Sequence, residues 1–167
     1  MSTMIEMTVS ELIVDTQSNT PIVVLREKGG SRILPIWIGI MEATAIAMEL
    51  EQVRFPRPMT HDLMKNLLEH LNVVVDRVEV CDLRENTYYA LIHLRSGDKK
   101  SAVDARPSDA IALALRTRSP IYVADKVLRK SGQTEGFKPV IVDPDDRDKL
   151  AELLEELSPE DFGKYKM

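Results

Sequence analysis

Three strand-like runs followed by an alanine-rich helical run occur twice along this chain, and that order restricts the fold more than any other feature. In the first occurrence, residues 4–16 alternate Ile5, Met7 and Val9 against Glu6, Thr8 and Ser10, the period of a half-buried strand. The phase slips at Glu11 and Leu12, as at a bulge. Residues 21–27 and 31–38 read as two further strands, turned at Lys28, Gly29 and Gly30. Ala43, Ile46, Ala47, Leu50 and Val53 then recur at helical spacing, which predicts a helix over 40–53. Pro56 and Pro58 must interrupt it, because proline removes a donor and disfavours a helical residue before it. Thr60 reads as the N-cap of another helix ending near Leu71, with Leu63, Met64, Leu67, Leu68 and Leu71 facing inward.

The second occurrence places strands over 73–83, 88–94 and 100–105 and a helix from Pro107 to about Arg116. A shift of 65 lays Ala45-Ile46-Ala47 on Ala110-Ile111-Ala112 and Ile13 on Val78, which reads as an internal duplication of a β-β-β-α unit over 4–71 and 73–118. Beyond it lie a short strand over 121–123, a helical turn over 125–130 and a loop over 131–138. An amphipathic helix over 145–157 follows, with Leu150, Leu153, Leu154 and Leu157 on its apolar side. The expected class is α+β: a mostly antiparallel sheet with Ala-rich helices and a C-terminal helical tail. The 167 residues suit one domain, read as residues 1–135 with an acidic helical extension over 136–167 packed on it.

The formal net charge is −5, which by itself disfavours a nonspecific nucleic-acid binder. Between Asp143 and Asp161, however, nine acids stand against Arg147 and Lys149, a local −7 that leaves +2 for everything else. The acidity belongs to the tail, read mainly as a solvated helix face and otherwise as a flap competing for a basic site. No apolar stretch approaches the ~18–20 residues of a membrane span, and the first residues lack the basic and apolar regions of a signal peptide. A cytoplasmic protein without membrane partners is the expectation. Cys81 is the only cysteine and reads as structural.

Nucleotide-binding glycine loops, HExxH, GxSxG and EF-hand patterns are absent. Aromatic residues at 5% are too few for an extended base-stacking platform. Three polar clusters remain, each at a helix start: Gly39 to Glu42, Arg57 to Asp62, and Asp104 to Asp109. Helix N-termini favour anions, and the arginines there, Arg57 and Arg106, are suited to clamp a phosphate. Carboxylates are hard ligands for Mg²⁺ or Mn²⁺, which assigns Glu42, Asp104 and Asp109 as metal ligands. His61 is the candidate general base, oriented by Asp62, with Glu42 beside them in the catalytic set. The same residues also serve ordinary structural roles, since first-turn acids complement a helix dipole and Pro107 fits the first helical position.

The segments LPIWIGIMEATAIAMELE (34–51), PRPMTHDLMKNLLEHL (56–71) and VDARPSDAIALALR (103–116), in this order, resemble the bifunctional nuclease domain family, and SPEDFGKY (158–165) resembles its usual ending. The resemblance runs over about 4–130. It implies a compact α+β domain and nuclease activity on DNA and RNA.

The expected function is therefore metal-assisted hydrolysis of phosphodiester bonds, with DNA or RNA as a transient substrate. The alternative is a non-catalytic oligomeric module that binds a small anion or a protein partner. In that case Arg57 and Arg106 would be fully engaged by Asp62, Asp104 or Asp109, with no open cleft. Both readings expect a homo-oligomer, a dimer by default, because the sheet leaves edges and the Trp37 region or the Ala-rich helices offer apolar surface.

Overall fold

The computed structural model describes residues 2–15 and 17–132. The tail helix expected over 145–157, the extension over 136–167 and all but the first two residues of the loop expected over 131–138 lie outside them. The described residues form seven strands and four helices. Strands β1 (Met4–Asp15), β2 (Thr20–Glu27) and β3 (Ile33–Trp37) precede helices α1 (Ile40–Leu50) and α2 (Thr60–His70). Strands β4 (Val74–Arg84), β5 (Thr87–Ser96) and β6 (Lys99–Ala105) precede α3 (Pro107–Thr117), β7 (Ile121–Ala124) and α4 (Asp125–Lys130). This is the expected α+β class.

One sheet runs in the order β3-β2-β1-β7-β4-β5-β6. Each group of three strands is an antiparallel meander, as alternating runs joined by short turns favour. The short β7 joins them, antiparallel to β1 through Met7↔Ile121 and parallel to β4 through Val78↔Ile121. It makes the sheet continuous, which its four residues do not announce in sequence. Gly29 takes a positive φ of 76° in the β2–β3 turn, a conformation glycine adopts without steric cost. In β1 the pairing shifts between Val9 and Glu11, where the alternation slips.

The core lies between the helices and one sheet face. Val78, Val80, Ala90 and Ile92 of the sheet meet Ile46 of α1 and the run Ala110–Ala114 of α3. Small alanines let α1 and α3 lie close over the sheet, and α3 also carries α2. The alanines of both helices are thus buried in the core, while α1 leaves Ile40, Met41 and Leu50 exposed. By helix start, Ile40 and Pro107, the halves are offset by 67 residues rather than 65. Glu42 and Asp109 then fall at the same third helical position.

Helix α2 departs from expectation. Met64 and Leu68 pack partly against the core, but Leu63, Leu67 and Leu71 are exposed and no residue of the helix is fully buried. It is laid over α3 rather than between two layers, so only part of its apolar surface finds a partner. Its first residue is Thr60 and its N-cap is Met59, whose N–H is taken by the Asp62 carboxylate at 3.1 Å. The acid three residues on thus satisfies the N–H of the cap residue itself, whereas a threonine at the cap would accept from an N–H inside the first turn.

Helices α1, α2 and α3 end alike. Gln52, Asn72 and Arg118 each take φ 55°, and the next N–H reaches back five residues: Val53 to Met48, Val73 to Leu68 and Ser119 to Ala114. This left-handed closure satisfies the last carbonyls and ends α1 at Leu50, short of the expected 53.

Candidate functional site

The first turns of α1, α2 and α3 meet at one place, because all three helices carry an acid at the third position and one arginine reaches two of them. Arg106 precedes Pro107 as the N-cap of α3. Its Nε donates to Asp109 Oδ2 at 2.8 Å, its Nη2 to Asp109 Oδ1 at 3.3 Å and its Nη1 to Glu42 Oε1 at 2.8 Å. Gly39 makes room for this arrangement, since a Cβ there would collide with the Glu42 carboxylate. The Arg106 side chain remains 65% exposed, and two of its five N–H groups have no partner among these bonds.

His61, in the first turn of α2, places Nε2 at 3.0 Å from Asp109 Oδ1, and its side chain is only 12% exposed. An ionised carboxylate only accepts, so Nε2 carries the hydrogen, and in the neutral ring the lone pair is on Nδ1. Burial pushes the Asp109 carboxyl up, but the hydrogen bonds from Arg106 and His61 and the charge of Arg106 outweigh it and hold the group below its usual range. Glu42, His61, Arg106 and Asp109 line a cleft of about 230 Å³. The rest of its lining is formed by the apolar Met41, Ala45, Met48 and Met59 together with Thr44, Thr60 and Arg116.

Asp62 faces elsewhere. It accepts from Nε of Arg116 at 2.7 Å, so the orienting partner of His61 is Asp109 rather than its sequence neighbour. Successive residues of a first helical turn point about 100° apart, which separates the two side chains. The Arg116 side chain is 3% exposed, and it also donates to the Ala112 and Ala45 carbonyls, each at 2.9 Å. It ties α1, α2 and α3 beneath the cleft. Sequence reasoning passed over Arg116, although Asp109, Ala112 and Arg116 share one helical stripe, where a lone cation among apolar residues was the available signal.

Asp104 is not part of the cluster. In β6 its neighbours Val103 and Ala105 pair with the core residues Ile92 and Ala90, so strand alternation turns Asp104, paired with Leu91, to the opposite sheet face. Arg57 is exposed in the connection between α1 and α2, does not line the cleft and ion-pairs with no described residue. Of the expected ligands for Mg²⁺ or Mn²⁺, Glu42 and Asp109 are therefore committed to Arg106 and Asp104 is elsewhere. Among the described residues no group of three or more His, Cys, Asp or Glu side chains could hold a metal ion. The described residues thus offer no ligand set that fits a resident divalent cation.

A larger cleft of about 610 Å³ lies at the other ends of the helices, lined among others by Glu49, Arg54, Lys65, Glu69 and Arg118. Within it Arg54 pairs with Glu49 at 2.9 Å and Lys65 with Glu69 at 3.5 Å, and no histidine or cysteine is among the described residues that line it. The histidine–carboxylate pair lies at the smaller cleft.

Acid sensitivity follows from these pairs. For Asp62, and for Glu79 in β4, which accepts from Nε of Arg77 at 2.6 Å, as for Asp109, desolvation raises the carboxyl but partner hydrogen bonds win, and each ends below its ordinary value. Their stabilisation is complete above the unfolded values of 3.8 for Asp and 4.5 for Glu, and is lost as pH falls past them through the lower folded values. Thermal melts should show a Tm that drops below about pH 4.5. A Tm that rises on acidification would contradict the pairing.

Comparison with known proteins agrees with the sequence segments. The bifunctional nuclease domain pattern matches residues 23–136. An uncharacterized protein of Mycobacterium tuberculosis is 41% identical over 162 residues, covering 94% of this chain and 97% of that protein. Bifunctional nuclease 2 of Arabidopsis thaliana is 32% identical over 108 residues, covering 63% of this chain and 33% of that one. Bifunctional nuclease 1 of Oryza sativa subsp. japonica is 27% identical over 121 residues, covering 71% and 37%. Among the described residues no helix is long and apolar enough to cross a membrane.

Proposed function

Because this chain belongs to the bifunctional nuclease domain family, we propose that it hydrolyses phosphodiester bonds of DNA or RNA in the cleft at the three helix starts. The observation that carries the reading is the His61–Asp109 pair, opening on a cleft that Arg106 also lines. His61 Nδ1 takes a proton from water as the water oxygen attacks phosphorus. Asp109 holds the ring and stabilises the imidazolium that forms. The bond to the departing oxygen breaks, and that oxygen takes a proton from the imidazolium or from solvent. The two free N–H groups of Arg106 donate to the phosphate oxygens as charge builds on them. Glu42 and Asp109 hold that guanidinium in position, so it needs no reorganisation during the reaction.

The test is turnover of single-stranded DNA and RNA by identically prepared wild type, His61→Ala and Asp104→Ala, with and without added Mg²⁺ or Mn²⁺. His61→Ala loses activity, and Asp104→Ala keeps the wild-type rate because its side chain lies on the other sheet face. Equal rates in all three would point to a contaminant and sink the assignment. Loss in Asp104→Ala alone would restore a metal-centred alternative built on that residue.

The non-catalytic reading has one observation in its favour, the capture of Arg106 by two carboxylates. It predicts retention of a small anion such as inorganic phosphate with no turnover by any variant. Under either reading the chain self-associates through the exposed Leu63, Leu67 and Leu71 face of α2. Sedimentation should show a species larger than the monomer that Leu67→Lys converts to monomer. A wild type that sediments as a monomer would remove this part of the reading.

A further inference from the structure

Three of the eight methionines, Met41, Met48 and Met59, line the same small cleft as His61, Arg106 and Asp109. Met41 and Met48 are seven apart and share one face of α1 with Ala45, while Met59 comes from the residue before α2. Met41 is 63% exposed, an unusual position for a large apolar side chain beside an ion-pair cluster. Among the described residues no phenylalanine, tyrosine or tryptophan lines the cleft. Its lining suits a ligand with an anionic group for Arg106 and an apolar part for the methionines. Water takes about 30 Å³ per molecule in the liquid, so 230 Å³ holds roughly seven or eight waters, room for one nucleotide unit rather than a duplex.

We infer that Met41, Met48 and Met59 form the surface against which a nucleobase lies when its phosphate is held by Arg106. The inference rests on the phosphodiesterase reading of the same cleft and adds how the strand is gripped. Thioethers are polarisable and make favourable contacts with aromatic rings while adapting to their outline. The methionines contact any base and read none, because a thioether offers no hydrogen-bond donor or acceptor of fixed geometry, and the Thr44 hydroxyl beside them is already bonded to the Ile40 carbonyl. The grip is therefore base-tolerant, and it is indifferent to the 2′-hydroxyl so far as the methionines are concerned.

The test uses protein labelled with ¹³C at the methionine methyls and titrated with dAMP or with 2-deoxyribose 5-phosphate, which differ only in the base. Ring-current shifts at the Met41, Met48 and Met59 methyls with dAMP, and not with the sugar phosphate, are the expected result, with Met7 in the core as an unmoved reference. Binding of the sugar phosphate is weaker by about three- to tenfold, the range a sulfur–aromatic contact supplies. Met41→Leu, apolar but without the sulfur, lowers that ratio, and Met41→Gln, similar in length but polar, brings it closer to one. Equal shifts with both ligands, or none at these methyls, would overturn the inference. Cleavage assays separate it from the nuclease reading. An abasic strand cleaved with the same KM as a normal strand removes the methionine wall and leaves the nuclease. Failure to cleave either strand while the methyl shifts persist removes the nuclease and leaves a nucleotide-binding cleft.

Discussion

His61→Ala lowers turnover of single-stranded DNA and RNA by about 10²–10⁴-fold, the contribution a positioned general base usually makes. The loss appears in kcat, with KM little changed, because Arg106 rather than His61 binds the phosphate. Stability changes far less. The variant gives up one hydrogen bond, at 3.0 Å to Asp109, and a modest packed area, worth about 1–2 kcal/mol. Asp109→Asn acts in the same direction but touches two partners at once. It leaves one acceptor oxygen where His61 and the Arg106 Nε each face one, turns an NH2 toward the other, and removes one of the two carboxylates that hold Arg106, so both kcat and KM suffer. Measured kcat within twofold of wild type for both variants would end the assignment of this pair as the proton-transfer site.

The largest stability effect belongs to Arg116. Its removal by Arg116→Ala leaves the Ala45 carbonyl without its donor, strips Asp62 of its counterion and opens a void between three helices. Each term is of order 1–3 kcal/mol, and a sum of about 3–4 kcal/mol is expected. At roughly 2–4 °C per kcal/mol for a chain of this size, Tm falls by roughly 6–16 °C. Asp62→Asn costs less in volume but leaves a guanidinium that is 3% exposed without its anion, so it too destabilises, by about 2–4 kcal/mol. Because the two share one ion pair, the double variant Arg116→Met with Asp62→Asn should cost less than the sum of the single changes. Strict additivity in thermal melts would mean that Arg116 and Asp62 do not interact in solution.

Much of the architecture was legible because strand and helix periods differ. Alternation at Ile5, Met7 and Val9 and helical spacing at Ala43, Ile46 and Ala47 located their elements to within a few residues. The bulge in β1 was visible as a slip of phase. The burial of α2 was misread for a related reason. Leu63, Met64, Leu67, Leu68 and Leu71 make a helical stripe wider than one neighbour can cover, and periodicity does not say how many neighbours a helix has. Only Met64 and Leu68 found a contact with the core.

The candidate site divided along another line. Sequence alone placed His61, Glu42, Arg106 and Asp109 at helix starts, because residue type and local position are properties of a short segment. It assigned Asp62 to His61 because the two are adjacent, whereas helical geometry points adjacent side chains apart and gives Asp62 to Arg116. It assigned Asp104 to the site because only five residues separate it from Asp109, whereas the pleat of β6 sends it to the far face of the sheet. Whether Arg106 would reach Glu42, 64 residues away, and whether His61 would reach Asp109, 48 residues away, depended on how α1, α2 and α3 pack. That packing is set by alanines in the core and by one buried arginine, through contacts distant in sequence that no local pattern encodes. The sequence determined which chemical groups stand at the helix starts. The tertiary structure decided which of them share a cleft.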